Sequence, residues 1–346
     1  MTVGVVYDPI YLEHGVRGHV ENATRLIEVM SVLNGSSIHD KLVFLSPQQA
    51  SIDDIARVHT MEYIRYIETA SGAGIASRWL DADTAVSSSS YQAALYAAGG
   101  VMMGVDCVMK DEMSSVFALV RPPGHHATHN RAMGFCLFNN IAVAARYALA
   151  SYGLERILIA DFDVHHGNGT QEAFYKDPNV LYWSIHQYPL YPGTGKMDEC
   201  GDGAGKGHIV NVPLPPGCGD GEYMRTFDTI LMPVMQRFEP QLVMISAGYD
   251  AHWTDPISTM QVSITGFARM VSCLKQIAQQ YCDGRIVLAL EGGYNPQILA
   301  LAVKATLEIL LGNEKVEDSP GPSPMKIEEK DISDILGSIK ELHCLE

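Results

Sequence analysis

The chain has 346 residues, of which 47% are hydrophobic and 18% are charged, so a large buried core is available and a disordered chain is excluded. The formal net charge of −16 argues against direct binding of nucleic acid, which needs a basic surface. The same charge is compatible with a cationic substrate, because an acidic field concentrates cations.

Seven cysteines are scattered along the chain without a CxxC pair, so neither a disulfide framework nor a cysteine-ligated zinc site is expected. The first residues, MTVGVVYDPI, lack the basic start and the long apolar stretch of a signal peptide. No apolar run approaches the ~18 residues that cross a bilayer. We therefore expect a cytoplasmic protein that does not enter a membrane.

Short β-rich segments alternate with segments of helical length. The strand-like segments are continuously apolar, which is typical of parallel strands buried on both faces. Strands are predicted over 3–8, 115–120, 156–164, 179–186, 241–250 and 285–293, and helices over 90–109, 139–153 and 222–238. This alternation predicts an α/β fold, with residues 1–313 as one domain.

The tail of the chain differs from the rest. After residue 313 the sequence is rich in Pro, Ser and charge, which is typical of a linker. Apolar residues at helical spacing then predict a short amphipathic helix; they are Ile332, Ile335, Leu336, Ile339 and Leu342. We expect 314–346 to be a linker followed by this helix, packed on the body of the protein or on a second subunit.

Polar residues cluster directly after the predicted strands. Seven of the thirteen histidines lie in these strand-end segments, at positions 125, 126, 129, 165, 166, 186 and 252. Open parallel sheets place their ligands at the carboxyl ends of the strands. The sequence therefore predicts the functional site at that edge.

The segment DFDVHH carries the first part of this site. Alternate residues of a strand face the same side, so Asp161, Asp163 and His165 are predicted to point at one place. Buried carboxylates are costly unless a cation or donors meet them. Asp163 and His165, with Asp250 as a third ligand, would suit Zn²⁺ or Fe²⁺ and leave coordination positions open, as catalytic metals require. A turn or a structural ion-pair cluster would give the same pattern.

The tandem histidines His125 and His126 supply acid–base groups. One neutral imidazole can take a proton from water and another can protonate a leaving amine. Asp161 is a natural partner for one of the pair. Tyr294, in the segment EGGY, could donate a hydrogen bond to an oxyanion. Tandem histidines also occur in surface loops, and a Gly-Gly-Tyr segment alone is uninformative.

Six motifs resemble the histone deacetylase family, in the same order along the chain: RPPGHHA, MGFCLFNN, DFDVHHGNGTQEAF, YPGTG, SAGYDAH and LEGGYN. The resemblance runs from about residue 2 to 312 and is closest to class II-like bacterial members, which include acetylpolyamine amidohydrolases and lysine deacylases. It implies an arginase-like α/β fold with a single parallel sheet of roughly eight strands flanked by helices.

The resemblance also implies two cation sites. Asp163, His165 and Asp250 would hold Zn²⁺, with Fe²⁺ as the alternative in the cell. The backbone around Asp161, Asp163 and His165, together with the Ser184 hydroxyl, resembles the potassium site of the family. Asp161 and Ser184 are the side chains that we expect at the structural K⁺.

Catalytic roles follow from the same resemblance. His126 would be the general base, and His125 would assist electrostatically. Asp161 would orient His125, and Asn168 would orient His126. Some branches of the family have Asp at the position of Asn168, so the neutral partner should leave His126 less basic. Tyr294 would polarise the scissile carbonyl.

Five further residues are implied to contact the substrate. Phe135 and Tyr191 would form the aromatic walls of a tunnel, in which Gly134 gives the methylene chain room. Ile257 occupies the position at which class II-type polyamine deacetylases have a glutamate. Asp83 is the candidate for the aspartate at the rim that grips the peptide backbone.

The first loop departs from the family pattern. The segment HVENATRL (19–26) lacks both prolines that class II members commonly show there. We therefore expect this loop to shape the rim differently from that of those members.

We therefore expect a zinc-dependent amide hydrolase that removes acetyl or other short acyl groups from lysine side chains of proteins or peptides. One alternative is an acetylpolyamine amidohydrolase. Some bacterial polyamine enzymes achieve selectivity for small amines by occluding the tunnel through dimerisation. A second alternative is a non-catalytic module that binds acyl-lysine, and a third is an arginase-like manganese hydrolase. A homodimer or higher homo-oligomer is left open.

Overall fold

A computed structural model describes residues 2–16, 18–72, 77–325 and 328–345. Its strands are β1 (Val3–Val6), β2 (Leu42–Leu45), β3 (Arg78–Trp79), β4 (Ala85–Val86), β5 (Ser115–Ala118), β6 (Ile157–Asp161), β7 (Val180–Gln187), β8 (Ile209–Leu214), β9 (Leu242–Ala247) and β10 (Ile286–Leu290). Its helices are α1 (Thr24–Asn34), α2 (Ile52–Ile55), α3 (Met61–Ala70), α4 (Ser90–Met109), α5 (Asn140–Tyr152), α6 (Asn168–Phe174), α7 (Asp220–Thr226), α8 (Met232–Phe238), α9 (Ile264–Tyr281), α10 (Pro296–Leu311) and α11 (Ser333–Leu342).

Eight strands form one sheet in the order β2-β1-β5-β10-β9-β6-β7-β8, and every neighbouring pair is parallel. The central strands are buried along their whole length because helices cover both faces. The predicted α/β fold is confirmed. The strand order sets β5, β10, β9 and β6 side by side, so the loops that follow these strands open at the same edge.

Two predicted elements end or break earlier than expected. The strand predicted over 156–164 stops at Asp161, where the chain leaves the sheet. The helix predicted over 222–238 is interrupted by a π-helical turn, Phe227–Leu231, between α7 and α8. The edge strands β2 and β8 were not among the predicted strands.

Helix α4 is long and apolar enough to cross a membrane by length and composition, with a mean hydropathy of 1.2. In the fold, 67% of that apolar window is buried inside the protein. The helix packs against α5 and against the sheet at β5, β10 and β1. A core helix of a large domain passes the same test, so the feature is accounted for by its place in the core.

The tail forms α11, which packs on β8 and on the π-helical turn. Ile332, Leu336 and Ile339 are buried in this contact, whereas 42% of Leu342 is exposed. Arg237, at the end of α8, donates to the backbone carbonyl of His343 at 2.7 Å. The helix therefore packs on the body of its own chain.

Candidate active site

Three ligand-type side chains meet at the carboxyl edge of the sheet, just beyond β6 and β9. One ligand atom each from Asp163, His165 and Asp250 lies within 4.8 Å of the others, and all three residues are buried. The Nδ1 atom of His165 lies 3.1 Å from Asp163 Oδ1 and 3.1 Å from Asp250 Oδ2. The three donors that the sequence assigned to a catalytic metal are thus brought together.

The electrostatics of this cluster fit a divalent cation. Burial raises the pKa of Asp250, and the neighbouring Asp163 raises it further. Burial opposes ionisation of Asp163 too, but His125 and His165 bring its pKa below the usual range. Burial lowers the pKa of His165, yet its bonds to both carboxylates raise it to about 10. A cation held by the two carboxylates would replace that proton on the imidazole.

Gly292, which follows β10, makes room for the cluster. Its backbone N–H donates to Asp163 Oδ2 at 2.8 Å. A Cβ atom at this position would lie 2.1 Å from Asp250 Oδ2 and 2.5 Å from Asp163 Oδ2. Any side chain at residue 292 would therefore displace a carboxylate of the cluster.

Asp161 does not face the cluster, contrary to the expectation that it shares one side with Asp163 and His165. Its Oδ2 lies 3.0 Å from His125 Nδ1 and accepts from the Tyr182 hydroxyl at 2.9 Å. The physical reason is that β6 ends at Asp161, so strand alternation no longer holds for the residues after it.

His125 lies in a carboxylate-rich environment. Burial alone lowers the pKa of His125, but Asp161 and Asp163 raise it to about 10. His125 Nε2 is 3.8 Å from Asp163 Oδ1, so the ring lies between the Asp161 carboxylate and the ligand cluster. The two carboxylates therefore favour the protonated form of the His125 ring.

His126 has the opposite character. Its Nδ1 lies 2.9 Å from the Asn168 side-chain oxygen, which carries no charge. Burial lowers the pKa of His126 well below its usual range, and the nearby His125 and His165 lower it further. The two tandem rings are 4.0 Å apart between centroids, yet their surroundings favour the neutral form of His126 and the protonated form of His125.

Glu291, at the end of β10, was not predicted as a site residue. Its carboxylate accepts from the backbone N–H groups of Gly124 at 2.7 Å and His125 at 3.2 Å, and from the Ser246 hydroxyl at 3.1 Å. Burial raises the pKa of Glu291 to about 7. The residue fixes the turn that carries both histidines, and a buried acid directly after an apolar strand was the signal in the sequence.

A cavity of about 250 Å³ leads to the cluster. All five residues implied to contact substrate line it, together with His126, His165 and Tyr294. Leu190, which was not predicted as a site residue, lines it as well. Its lining residues are Asp83, His126, Gly134, Phe135, His165, Leu190, Tyr191, Ile257 and Tyr294.

The aromatic walls stand close to the two histidines. The Tyr191 ring lies edge-on to His126, with centroids 5.1 Å apart, and Phe135 lies edge-on to Tyr294 at 5.6 Å. Gly134 has φ +55°, and a Cβ there would lie 2.3 Å from His126 Cδ2. The glycine therefore makes room for the His126 ring as well as for a ligand.

Tyr294 is anchored by its backbone and by its ring. Its N–H donates to Asp255 at 2.7 Å, and the Arg25 guanidinium lies 5.0 Å from the centre of the ring. Burial raises the pKa of the Tyr294 hydroxyl well above its usual range. The group therefore stays protonated and can donate a hydrogen bond into the cavity.

The first loop, 19–26, is held by buried ion pairs despite its missing prolines. Glu21 pairs with Arg25 at 3.0 Å and also with Arg121. Arg25 Nε donates to the Gly293 carbonyl at 2.7 Å, next to Tyr294. Neither Glu21 nor Arg25 was predicted as a site residue, although both stand in that loop.

Ser184 lies beside Asp161 in the register of β6 and β7. Its hydroxyl is 2.9 Å from His186 Nδ1. The role of Asp161 and Ser184 at a structural K⁺ stays a prediction.

The histone deacetylase domain family matches residues 19–310 of the chain. A probable deacetylase of Archaeoglobus fulgidus is 44% identical over 298 residues, which cover 85% of this chain and 82% of that protein. The histone deacetylase-like amidohydrolase of Pseudomonas aeruginosa is 37% identical over 296 residues, which cover 85% of this chain and 77% of that protein.

A solved structure extends the similarity to the fold. The crystal structure of the HDA15 HD domain matches with a TM-score of 0.88 and 34% identity, covering 99% of this chain and 94% of that one. The family match therefore spans most of the chain, and the relatives are named as deacetylases or as an amidohydrolase. The chain belongs to the histone deacetylase family of amide-hydrolysing enzymes.

Proposed function

We propose that the chain is a zinc-dependent hydrolase that removes acetyl or other short acyl groups from lysine side chains of proteins or peptides. The observation that carries this proposal is the cavity whose aromatic walls, Phe135 and Tyr191, lead to the buried cluster of Asp163, His165 and Asp250. A narrow apolar passage ending at metal ligands suits a methylene chain that carries an amide at its tip.

The donor set favours Zn²⁺, with Fe²⁺ as the alternative. Two carboxylates and one imidazole are borderline-hard ligands, and three protein ligands leave positions for substrate and water. When bound, the cation would supply Lewis-acid polarisation of the carbonyl and would make a bound water more acidic. Asp163, His165 and Asp250 would hold it.

His126 is suited to the role of general base. The ring lines the cavity and is neutral, so it can accept a proton from water. Asn168 holds its Nδ1, which leaves Nε2 for the reacting water. His125, as an imidazolium fixed by Asp161, would keep positive charge beside the reacting atoms and lower the proton affinity of His126.

Tyr294 is suited to stabilise the oxyanion. Its hydroxyl stays protonated, and its ring is fixed between Phe135 and Arg25. A preorganised donor of this kind acts most strongly on the charge that develops during attack on the carbonyl. The protonated catalytic pair His125–His126 would return the proton to the departing amine.

The outer lining bears on the class of substrate. Ile257 offers no charge to a distant ammonium group, which favours an acylated lysine in a peptide. Asp83 is the carboxylate in the lining, and it favours either a peptide backbone N–H or the cationic end of an acetylated polyamine. The acetylated polyamine is therefore the second candidate.

The test is a comparison of kcat/KM for an acetyl-lysine peptide and for N-acetylputrescine with the zinc-loaded protein. Preference for the peptide would support the lysine deacylase, and preference for the small amine would replace it with the polyamine enzyme. Binding of both compounds without turnover would contradict both candidates and favour a module that binds acyl-lysine.

A further inference from the structure

A second cavity lies at the opposite edge of the sheet, where β7 and β8 begin. Its volume is about 560 Å³, which is within the range of small-molecule sites. The cavity is bounded by the C-terminal end of α8 and by the end of the tail helix α11. Its lining residues are Leu181, Cys200, Lys206, Gly207, His208, Arg237, Phe238, Leu342, His343 and Cys344.

The charge of this cavity contrasts with that of the whole chain. The chain carries a net charge of −16, yet the cations Lys206 and Arg237 line the cavity, beside His208 and the His343 ring, whose pKa burial lowers to about 4. Among the lining residues that the structure describes there is no Asp or Glu. A locally basic cavity in an acidic protein concentrates anions.

His343 has a hydrogen-bonding capacity that the fold does not use. Its side chain is 4% exposed, and within the described part of the chain neither ring nitrogen has a hydrogen-bond partner. The Nδ1 atom of His208, in the same cavity, is also buried and without a partner there. Buried polar atoms are normally paired, and each unpaired one lowers stability.

Arg237 stands next to this unpaired ring. One of its guanidinium nitrogens donates to the backbone carbonyl of His343 at 2.7 Å, which sets the cation beside the imidazole. An anion between the two would accept charge-assisted hydrogen bonds from both side chains. Leu181, Phe238 and Leu342 add an apolar surface that a bare inorganic ion would leave uncovered.

We propose that this cavity binds a small organic anion, with its phosphate or carboxylate group at Arg237 and His343 and its apolar part against Phe238 and Leu342. The inference does not depend on the proposed catalytic function, since the cavity lies at the other edge of the sheet. Because α11 contributes part of the lining, the ligand also fastens the tail to the body of the protein.

Two probes with the same ring and different head groups test the site, phenyl phosphate and benzoate, with neutral phenol as the control. Binding is measured by calorimetric titration of the full chain. Alkylation of Cys344 is followed by mass spectrometry, since this exposed thiol lines the cavity. Cys273, on α9 outside the lining, is the internal reference thiol.

We expect saturable binding of one or both anions, slower alkylation of Cys344 and an unchanged rate at Cys273. The head group that binds more tightly identifies the ligand as a phosphate or a carboxylate. Arg237→Gln should weaken binding by about tenfold, as loss of a charge-assisted hydrogen bond does. Lys206→Gln, at an exposed side chain, should weaken it by about threefold.

Arg269→Gln, which removes an exposed arginine outside the cavity, is the matched control and should leave binding unchanged. The proposal is wrong if neither anion binds, or if phenol binds as tightly as the anions. It is also wrong if Arg269→Gln weakens binding as much as Lys206→Gln. Lys206→Gln keeps the tail contact of Arg237 intact, so its effect is separate from any loosening of α11.

Discussion

The inner and outer parts of the catalytic cavity are built differently. The inner site (His125, His126, Asp163, His165 and Asp250) is buried, and its ionisable groups contact one another. The outer lining (Asp83, Phe135, Leu190, Tyr191 and Ile257) is half-buried. The inner residues sit on loops that leave β5, β6 and β9, three central strands of one sheet, whereas the outer ones come from loops spread along the chain.

This difference separates chemistry from substrate choice. Changing a charge in the inner site alters buried groups, which bulk water screens little, so large effects are expected. Changing a residue of the outer lining acts in partly exposed surroundings, where electrostatic effects are small. The experiments below run from the inner site outward.

The largest effect is expected for Asp250→Asn. Loss of one carboxylate of the proposed metal site should lower kcat/KM by about a thousandfold, because a cation held there would supply several kcal/mol of transition-state stabilisation. Metal content, measured by emission spectroscopy after dialysis, should fall in the same variant. Asp228→Asn, at an exposed acid, is the control, and full metal content and activity in Asp250→Asn would refute the ligand assignment.

Tyr294→Phe should come next. Removing one oxyanion donor costs about a hundredfold or more in kcat. KM and the thermal midpoint should change little, since the ring contacts with Phe135 and Arg25 remain. Tyr63→Phe removes a buried hydroxyl outside the cavity and serves as the control. Equal turnover in Tyr294→Phe and the parent chain would rule out the donor role.

Asn168→Asp should change the pH profile more than the maximal rate. The pKa of His126 is lowered by burial, so the base is neutral and activity is lost only as pH falls through that low value. A carboxylate at Nδ1 would raise the pKa of His126 by about one unit or more. The acid limb of kcat/KM should therefore move to higher pH, and an unmoved limb would show that His126 does not set it.

The smallest effect is expected for Ile257→Glu. A carboxylate in the half-exposed outer lining should raise the ratio of kcat/KM for N-acetylputrescine over the peptide by about two- to fivefold, the size of an exposed ion pair. Ile257→Leu, which keeps the position neutral, should leave the ratio unchanged. A ratio that stays the same in Ile257→Glu would mean that the distant ammonium does not reach residue 257.

The core strands could be predicted from the sequence because their residues are continuously apolar. The edge strands were harder, for two reasons. Strand β2 is apolar but only four residues long, LVFL, and a run this short cannot be assigned to a strand by its periodicity. Strand β8 contains Pro213. A proline is tolerated in an edge strand, but in a sequence it argues against predicting a strand.

The metal ligands could be predicted because two acids and a histidine after apolar strands have few other uses. The direction in which the Asp161 side chain points could not be predicted, because strand alternation stops where β6 ends and no local pattern marks that end. The position of Glu291 after an apolar strand was a signal, but its role could not be predicted because its partners include backbone N–H groups of Gly124 and His125, which sequence patterns do not encode. The ion pair between Glu21 and Arg121 could not be predicted either, because the two residues are 100 positions apart in the sequence.

Asp163 and His165 follow one strand, and Asp250 follows its neighbour in the sheet, 85 residues beyond His165. The three side chains can meet only after β6 and β9 have paired, so the folded chain alone offers the complete set of donors. A cation that binds the folded form and not the unfolded one raises the free energy of unfolding with the logarithm of its concentration. The thermal midpoint of this protein should therefore report the free metal concentration around it.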